Sequence, residues 1–196
     1  MLHYLPTEPV PRHGARKFHG AVAQGYDAKR EQSPKWLIEQ KHIEGFLSDL
    51  PDGATVLDVP CGTGRFFDYY NRRNFDVLAM DLSKDMLDIA ATKIRDPKKY
   101  QFAQGTICQI PLADKTADAS VMCRVTRWLT PDECVQALKE MQRVTKDRII
   151  LTARVRNHPH ARSYELINSA LDDWAIARDE AGVDLDYRVI ELRPCS

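Results

Sequence analysis

The stretch that most constrains what this chain can fold into is Thr55-Val56-Leu57-Asp58-Val59-Pro60-Cys61-Gly62-Thr63-Gly64-Arg65-Phe66-Phe67. It begins as a short β-branched and apolar run of the kind that forms a buried strand, breaks into small residues, and resumes as an apolar helical pattern. Glycine at such a turn permits positive φ and lets a ligand approach the backbone, while the unpaired N–H groups of a helix start offer a polar cradle. Asp58, at the strand's end, narrows the choice of ligand. A pyrophosphate at this turn meets a carboxylate of its own sign, whereas a ligand carrying an ammonium group finds a charge-assisted acceptor.

The run Val56 to Gly64 resembles the first motif of the class I (Rossmann-like) S-adenosylmethionine-dependent methyltransferases, in which an acidic residue opens a glycine-rich loop around the cofactor. Later matches follow in the family's order, from about Tyr26 to the strand near Ile150. The resemblance implies an α/β fold, a doubly wound, mostly parallel sheet with helices on both faces, and S-adenosylmethionine as cofactor. Pro60 is a departure, standing where the family usually has glycine; proline fixes φ and donates no N–H, so one backbone contact is lost.

A length of 196 residues fits one domain with a real core. The expected division is an N-terminal arm over residues 1–20, flexible or lid-like, ahead of a single domain over 21–196. Hydrophobic residues make up 43% and charged residues 29%, which excludes a wholly disordered chain. Lys plus Arg and Asp plus Glu both number 28, so no net field draws the chain to nucleic acid or to an anionic membrane. Five cysteines without a Cys-x-x-Cys pair argue against a disulfide framework or a zinc site and for a reducing, cytoplasmic setting. No apolar stretch approaches a signal peptide or a membrane span.

Ser33-Pro34 reads as a capped helix start, with Trp36, Ile43, Leu47 and Leu50 on its buried face. Phe66, Phe67, Tyr69 and Tyr70 read as core rather than as a base-stacking platform. A strand over Phe75–Met80 ends at Asp81, 23 residues after Asp58, close to the roughly 20 that separate a glycine loop from a ribose-binding acid. Ser83 reads as the next N-cap. The resemblance implies cofactor contacts at Tyr26, at Asp58, Pro60, Cys61, Gly62 and Gly64, at Asp81, Leu82 and Met86, and at Thr106, Ile107 and Cys123. Thr106 stands where similar methyltransferases carry an acid for the adenine amino group, so the contact loses its charge. Four of these have a plainer structural role as alternative: Tyr26 a surface ring, Asp81 a solvated acid, Met86 core, Cys123 a small buried thiol.

Thr130-Pro131-Asp132-Glu133 reads as a capping box opening a helix with Val135, Leu138 and Met141 on one face, and Arg148–Thr152 as a strand. Ala161–Ala181 is expected to be the last helix, stopped by Gly182, and Tyr187–Leu192 a final strand. With only one strand evident there, the sheet edge is expected to be shortened or covered by a second subunit as a homodimer. Arg124 and Arg127 follow one strand, Arg154 and Arg156 its neighbour, and Arg162 the next helix. Guanidiniums pair with carboxylates and phosphates, so these point to a small-molecule methyl acceptor with an acidic group, or else to ordinary surface ion pairs. His158 and His160 are base candidates by titration range, but no catalytic residue or metal ligand is assigned. Two other readings stay open: a noncatalytic cofactor-binding or partner-regulating protein, and a nicotinamide enzyme, the latter weakened by Phe67 at the third glycine of that fingerprint.

Overall fold

A computed structural model of the chain describes residues 4–5, 18–28, 30, 33–154, 166–167, 170–171, 173–181 and 187–195. Among these residues eight strands form one sheet: β1 (Tyr4–Leu5), β2 (Thr55–Asp58), β3 (Asp76–Asp81), β4 (Tyr100–Gln104), β5 (Ala117–Met122), β6 (Thr145–Arg154), β7 (Trp174–Ala181) and β8 (Tyr187–Pro194), in the order β1-β4-β3-β2-β5-β6-β8-β7. Pairings from β1 to β6 are parallel, while β8 runs antiparallel to both β6 and β7. The order reverses beside β2, which opens a crevice at the carboxyl ends of β2 and β5.

Among the described residues the helices are α1 (Ala21–Gln24), α2 (Pro34–Phe46), α3 (Phe67–Arg72), α4 (Lys84–Ala91) and α5 (Pro131–Val144), and residues 166–167 and 170 are helical as well. Strand side chains alternate between faces, which is why the central strands are apolar throughout. Leu57, Leu78, Met80, Ile149 and Leu151 pack on one face with Leu138 and Met141 of α5. Val56, Val77, Ala79, Val121 and Ile150 pack on the other with Ile43 of α2, Phe67 and Tyr70 of α3, and Leu87 of α4. The aromatics after the glycine turn are therefore core, as expected. Thr130 caps α5 through the full capping box, its hydroxyl accepting from Glu133 N at 3.3 Å and Glu133 Oε2 accepting from Thr130 N at 2.9 Å. Ser83 caps α4 by accepting from Met86 N at 3.3 Å, but the Ser33 side chain makes no capping bond at α2.

The C-terminus corrects two expectations. Trp174–Ala181 is a strand, although Tyr164, Ile167, Leu171 and Trp174 recur at helical spacing. The helical reading fails at Asp173, whose φ of 59° breaks the chain direction, and the half-buried residues of β7 then alternate from Trp174 through Ile176 and Arg178. The second correction follows from the first: β7 and β8 together form an antiparallel hairpin, so the sheet edge is not shortened and the reason for a covering subunit falls away. Buried Glu191 of β8 ties this hairpin down, accepting from Arg178 Nη2 at 2.9 Å and lying 3.0 Å from Arg193 Nη2, while Arg148 Nη1 donates to Phe46 O at the end of α2. At the other end, Tyr4 and Leu5 of the N-terminal arm pair with Phe102 and Ala103.

Candidate active-site cleft

A cleft of about 550 Å³ opens above the carboxyl ends of the central strands, within the usual range for a pocket that encloses a small ligand. Its floor is the turn between β2 and α3. Cys61 N donates to Met80 O at 2.8 Å and Gly64 N to Cys61 O at 3.0 Å, which fixes the turn against β3. Gly62 has φ 55°, and a Cβ there would meet nothing within 4 Å: the open space lies over the backbone, as a close ligand approach requires. Gly64 has φ 76° for a different reason, since a Cβ would stand 2.8 Å from Cδ2 of the buried Phe67 ring.

Asp81 ends β3 and lines the cleft. Its Oδ2 accepts from Gly62 N at 2.9 Å and its Oδ1 from Ser83 N at 2.8 Å, so one carboxylate fastens the glycine turn to the start of α4. Each oxygen keeps a second lone pair for a ligand hydroxyl. Burial pushes its pKa up to about 6, against the lowering effect of those backbone bonds. Asp58 differs from the expectation of a carboxylate facing the cleft. It is fully buried, is not among the lining residues, and accepts at 3.4 Å from the Tyr70 hydroxyl through Oδ2, while Oδ1 has no partner. Burial first, then the Asp81 charge, raise it to about 8. Pro60, Cys61, Leu82, Met86, Thr106, Ile107 and Cys123 all line the cleft. Thr106 Oγ1 already accepts from Cys108 N at 3.2 Å, and burial raises the Cys61 and Cys123 thiols, so neither is a ready nucleophile.

Tyr26 also lines the cleft, and its position is set by its neighbour: Asp27 accepts from the Thr63 hydroxyl at 2.5 Å and from Lys93 Nζ at 2.6 Å. Phe18 is held by its carbonyl, which accepts from Ser83 Oγ at 2.6 Å. Ring centroids of Phe18 lie 5.8 Å from Tyr26 and 5.7 Å from Trp128, and Tyr26 lies 6.3 Å from Trp36, an edge-to-face chain along the cleft. Burial raises the Tyr26 hydroxyl, which stays protonated at neutral pH.

Of the five arginines singled out by the sequence, Arg124 alone is placed in the cleft with its side chain described. It sits at φ 57°, unusual for a residue with a Cβ and costing about 1–3 kcal/mol, with its N–H donated to Thr152 Oγ1 at 2.7 Å. Arg127 is a correction: it is exposed, lies 4.8 Å over the Trp128 ring, and does not line the cleft, because the turn after Arg124 points it outward. Arg154 closes β6 opposite Tyr187, and its side chain lies outside the described residues, as do Arg156, Arg162, His158 and His160. No histidine lines the cleft among the described residues.

The sequence reading missed Glu39 and Arg65. Glu39 Oε2 accepts from Arg65 Nη1 at 2.6 Å and from Arg124 Nε at 2.7 Å, with both the Glu39 and Arg65 side chains about 5% exposed. Arg65 also donates to the Trp36 carbonyl and lies 3.7 Å over the Trp36 ring. A signal for Glu39 existed: it falls between Trp36, Ile43 and Phe46 at helical spacing, an acid on an apolar face.

A family model described as a methyltransferase domain matches residues 56–148. Over 142 residues the chain is 30% identical to the malonyl-[acyl-carrier protein] O-methyltransferase of Pectobacterium atrosepticum, covering 71% of this chain and 52% of that protein. Over 143 residues it is 34% identical to the demethylmenaquinone methyltransferase of Paenarthrobacter aurescens, covering 70% and 53%. The chain thus spans about half the length of these curated relatives. Among solved structures, the magnesium protoporphyrin IX methyltransferase of Synechocystis PCC 6803 with bound S-adenosylmethionine superposes with a TM-score of 0.73 over 92% of this chain and 95% of that one; at 14% identity this is a likeness of fold.

Proposed function

Because the chain belongs to the class I (Rossmann-like) family of S-adenosylmethionine-dependent methyltransferases, we propose that it transfers the methyl group of that cofactor to a small-molecule acceptor bearing an acidic group. The observation that carries the reading is Asp81, which faces the cleft with both oxygens anchored on backbone N–H groups and both still able to accept from ribose hydroxyls. The rest of the cleft suits the same ligand. The free space over Gly62 accommodates a close approach, and Met86, Leu82 and Ile107 offer an apolar bed for a flat base.

When bound, S-adenosylmethionine supplies a methyl group already activated by a sulfonium, so proximity and orientation are the protein's main contribution, worth about 7–11 kcal/mol when alignment is good. In this reading Asp81 fixes the sugar and the Gly62 turn receives the aminoacyl end. Tyr26 and Phe18, pinned through Asp27 and Ser83, cover the cleft and exclude water, and Arg124 receives the acceptor's acidic group. Five free cysteines fit a reducing cytoplasmic setting. The relatives' names include a malonyl-[acyl-carrier protein] and demethylmenaquinone, and both belong in the screen beside simple acids.

The test is release of S-adenosylhomocysteine from the purified chain across an acceptor panel. Turnover of acidic acceptors above their neutral analogues supports the reading. Cofactor binding without turnover of any acceptor returns the noncatalytic alternative, and binding of NAD in place of S-adenosylmethionine overturns the family assignment of the site.

A further inference from the structure

The cleft lining carries both signs of charge. Asp81, Met86 and Ile107 line it, and so do Arg65 and Arg124, which meet the aromatic chain at Trp36, Arg65 at 3.7 Å and Arg124 at 5.8 Å over that ring. Two guanidiniums here share one oxygen of one carboxylate, Glu39 Oε2. Cys123 and Asp58, titratable neighbours of Arg65, are both held towards their neutral forms by burial, so among the described residues the Glu39–Arg65–Arg124 group carries one net positive charge. Buried Arg65 has a further donor, Nε, without a partner. Arg124 is anchored through Nε on Glu39, and its two Nη groups have no hydrogen-bond partner among the described residues although the side chain lines the cleft. A guanidinium tethered at Nε presents its Nη edge in a fixed plane, the geometry that grips a carboxylate with paired bonds.

The aromatic side chains say what carries that carboxylate. Phe18, Tyr26, Trp36 and Trp128 line the cleft as a chain of edge-to-face contacts that reaches the guanidiniums at Trp36, and such walls favour a flat, unsaturated body over a saturated one. We propose that the cleft beside Trp36 and Arg124 is an acceptor subsite for an aromatic carboxylate, with Arg124 as the specificity-determining residue and the Arg65–Glu39 pair holding its guanidinium and setting the net positive charge. The proposal rests on the methyl-transfer reading for the acceptor's role but not for its recognition, which binding alone measures.

The experiment is calorimetric titration of the full chain, loaded with S-adenosylhomocysteine, with 2-naphthoate, 2-naphthamide and cyclohexanecarboxylate. Naphthoate is expected to bind at least tenfold more tightly than either analogue. Arg124→Gln abolishes the preference for naphthoate over naphthamide while S-adenosylhomocysteine affinity stays within threefold of the unaltered protein.

Equal binding of naphthoate and naphthamide, absence of naphthoate binding, or a preference that survives Arg124→Gln overturns the proposal. A parallel loss of S-adenosylhomocysteine affinity in Arg124→Gln, with 5′-methylthioadenosine affinity unchanged, also overturns it, because the anion read is then the cofactor's own carboxylate. If S-adenosylhomocysteine itself does not bind the unaltered chain, the methyl-transfer reading fails first, and naphthoate titrated into the unloaded protein still decides the subsite.

Discussion

Glu39→Gln is the sharpest probe of how the cleft is held together. The unaltered side chain, 4% exposed, joins α2 to the glycine turn through Arg65 and to the end of β5 through Arg124, at 2.6 and 2.7 Å. Each charge-assisted bond contributes about 1.5–3 kcal/mol, and neutralising one member of a buried ion group costs about 3–5 kcal/mol because the charges left behind stay buried. The glutamine oxygen still accepts from one guanidinium, which places the expected loss near the lower end, about 3 kcal/mol. For a chain of this size each kcal/mol lowers Tm by about 2–4 °C, so a fall of about 6–12 °C is expected by calorimetry or circular dichroism. Two facing guanidiniums also make the variant more sensitive to salt than the parent, with part of the loss recovered at high ionic strength. Glu44→Gln is the control: Glu44 lies 3.8 Å from the exposed Arg72, and such a pair is worth about 0–1 kcal/mol. A Glu39→Gln protein that melts with the parent at every salt concentration refutes the claim that this carboxylate organises the cleft.

Stability of the unliganded protein is expected to fall as pH rises from about 4 to about 8, since folded Asp81 and Asp58, raised to about 6 and about 8, hold protons that the unfolded chain has already released; Asp58→Asn removes the upper part of that slope in pH-dependent denaturant titrations. Asp49 and Glu140, lowered chiefly by their bonds to Arg148 and Arg143, act in the opposite sense and only in acid, where their contribution is lost. Gly64→Ala places a Cβ 2.8 Å from the immobile Phe67 ring at φ 76°, a combined cost of about 2–5 kcal/mol in denaturant unfolding. Gly62→Ala has room for its Cβ and costs only about 1–2 kcal/mol of stability, but it fills the space a ligand needs, so its larger effect is on cofactor affinity by calorimetry.

What the sequence made legible follows from the physics of each signal. Strands buried on both faces read as continuous apolar runs, and the glycine turn, its acid and the capping box at Thr130 are local patterns whose geometry depends on few neighbours, so this half of the fold and the Asp81 side of the cleft were visible in advance. Trp174 reads as helical because one apolar residue at helical spacing is equally the first inward residue of a strand, and the break at Asp173 leaves no mark in composition. Asp58 reads as a cleft residue because its position in the run is clear, while its burial against Tyr70 depends on packing between elements. The Glu39–Arg65–Arg124 group joins residues up to 85 positions apart, a pairing that no local pattern encodes. Arg127 illustrates the converse: nearness to Arg124 in sequence carried no information about direction once the chain turned.

The account depends most on the carboxylate that ends β3 being both the fastener of the glycine turn and the acceptor for the cofactor's sugar. Titration of S-adenosylhomocysteine into the parent and into Asp81→Asn measures this directly. Loss of about two charge-assisted bonds predicts an affinity at least about 100-fold weaker in the variant, with parent affinity rising from pH 5 to pH 7 as Asp81 ionises. A parent that does not bind, or an Asp81→Asn protein that binds as well as the parent, contradicts it.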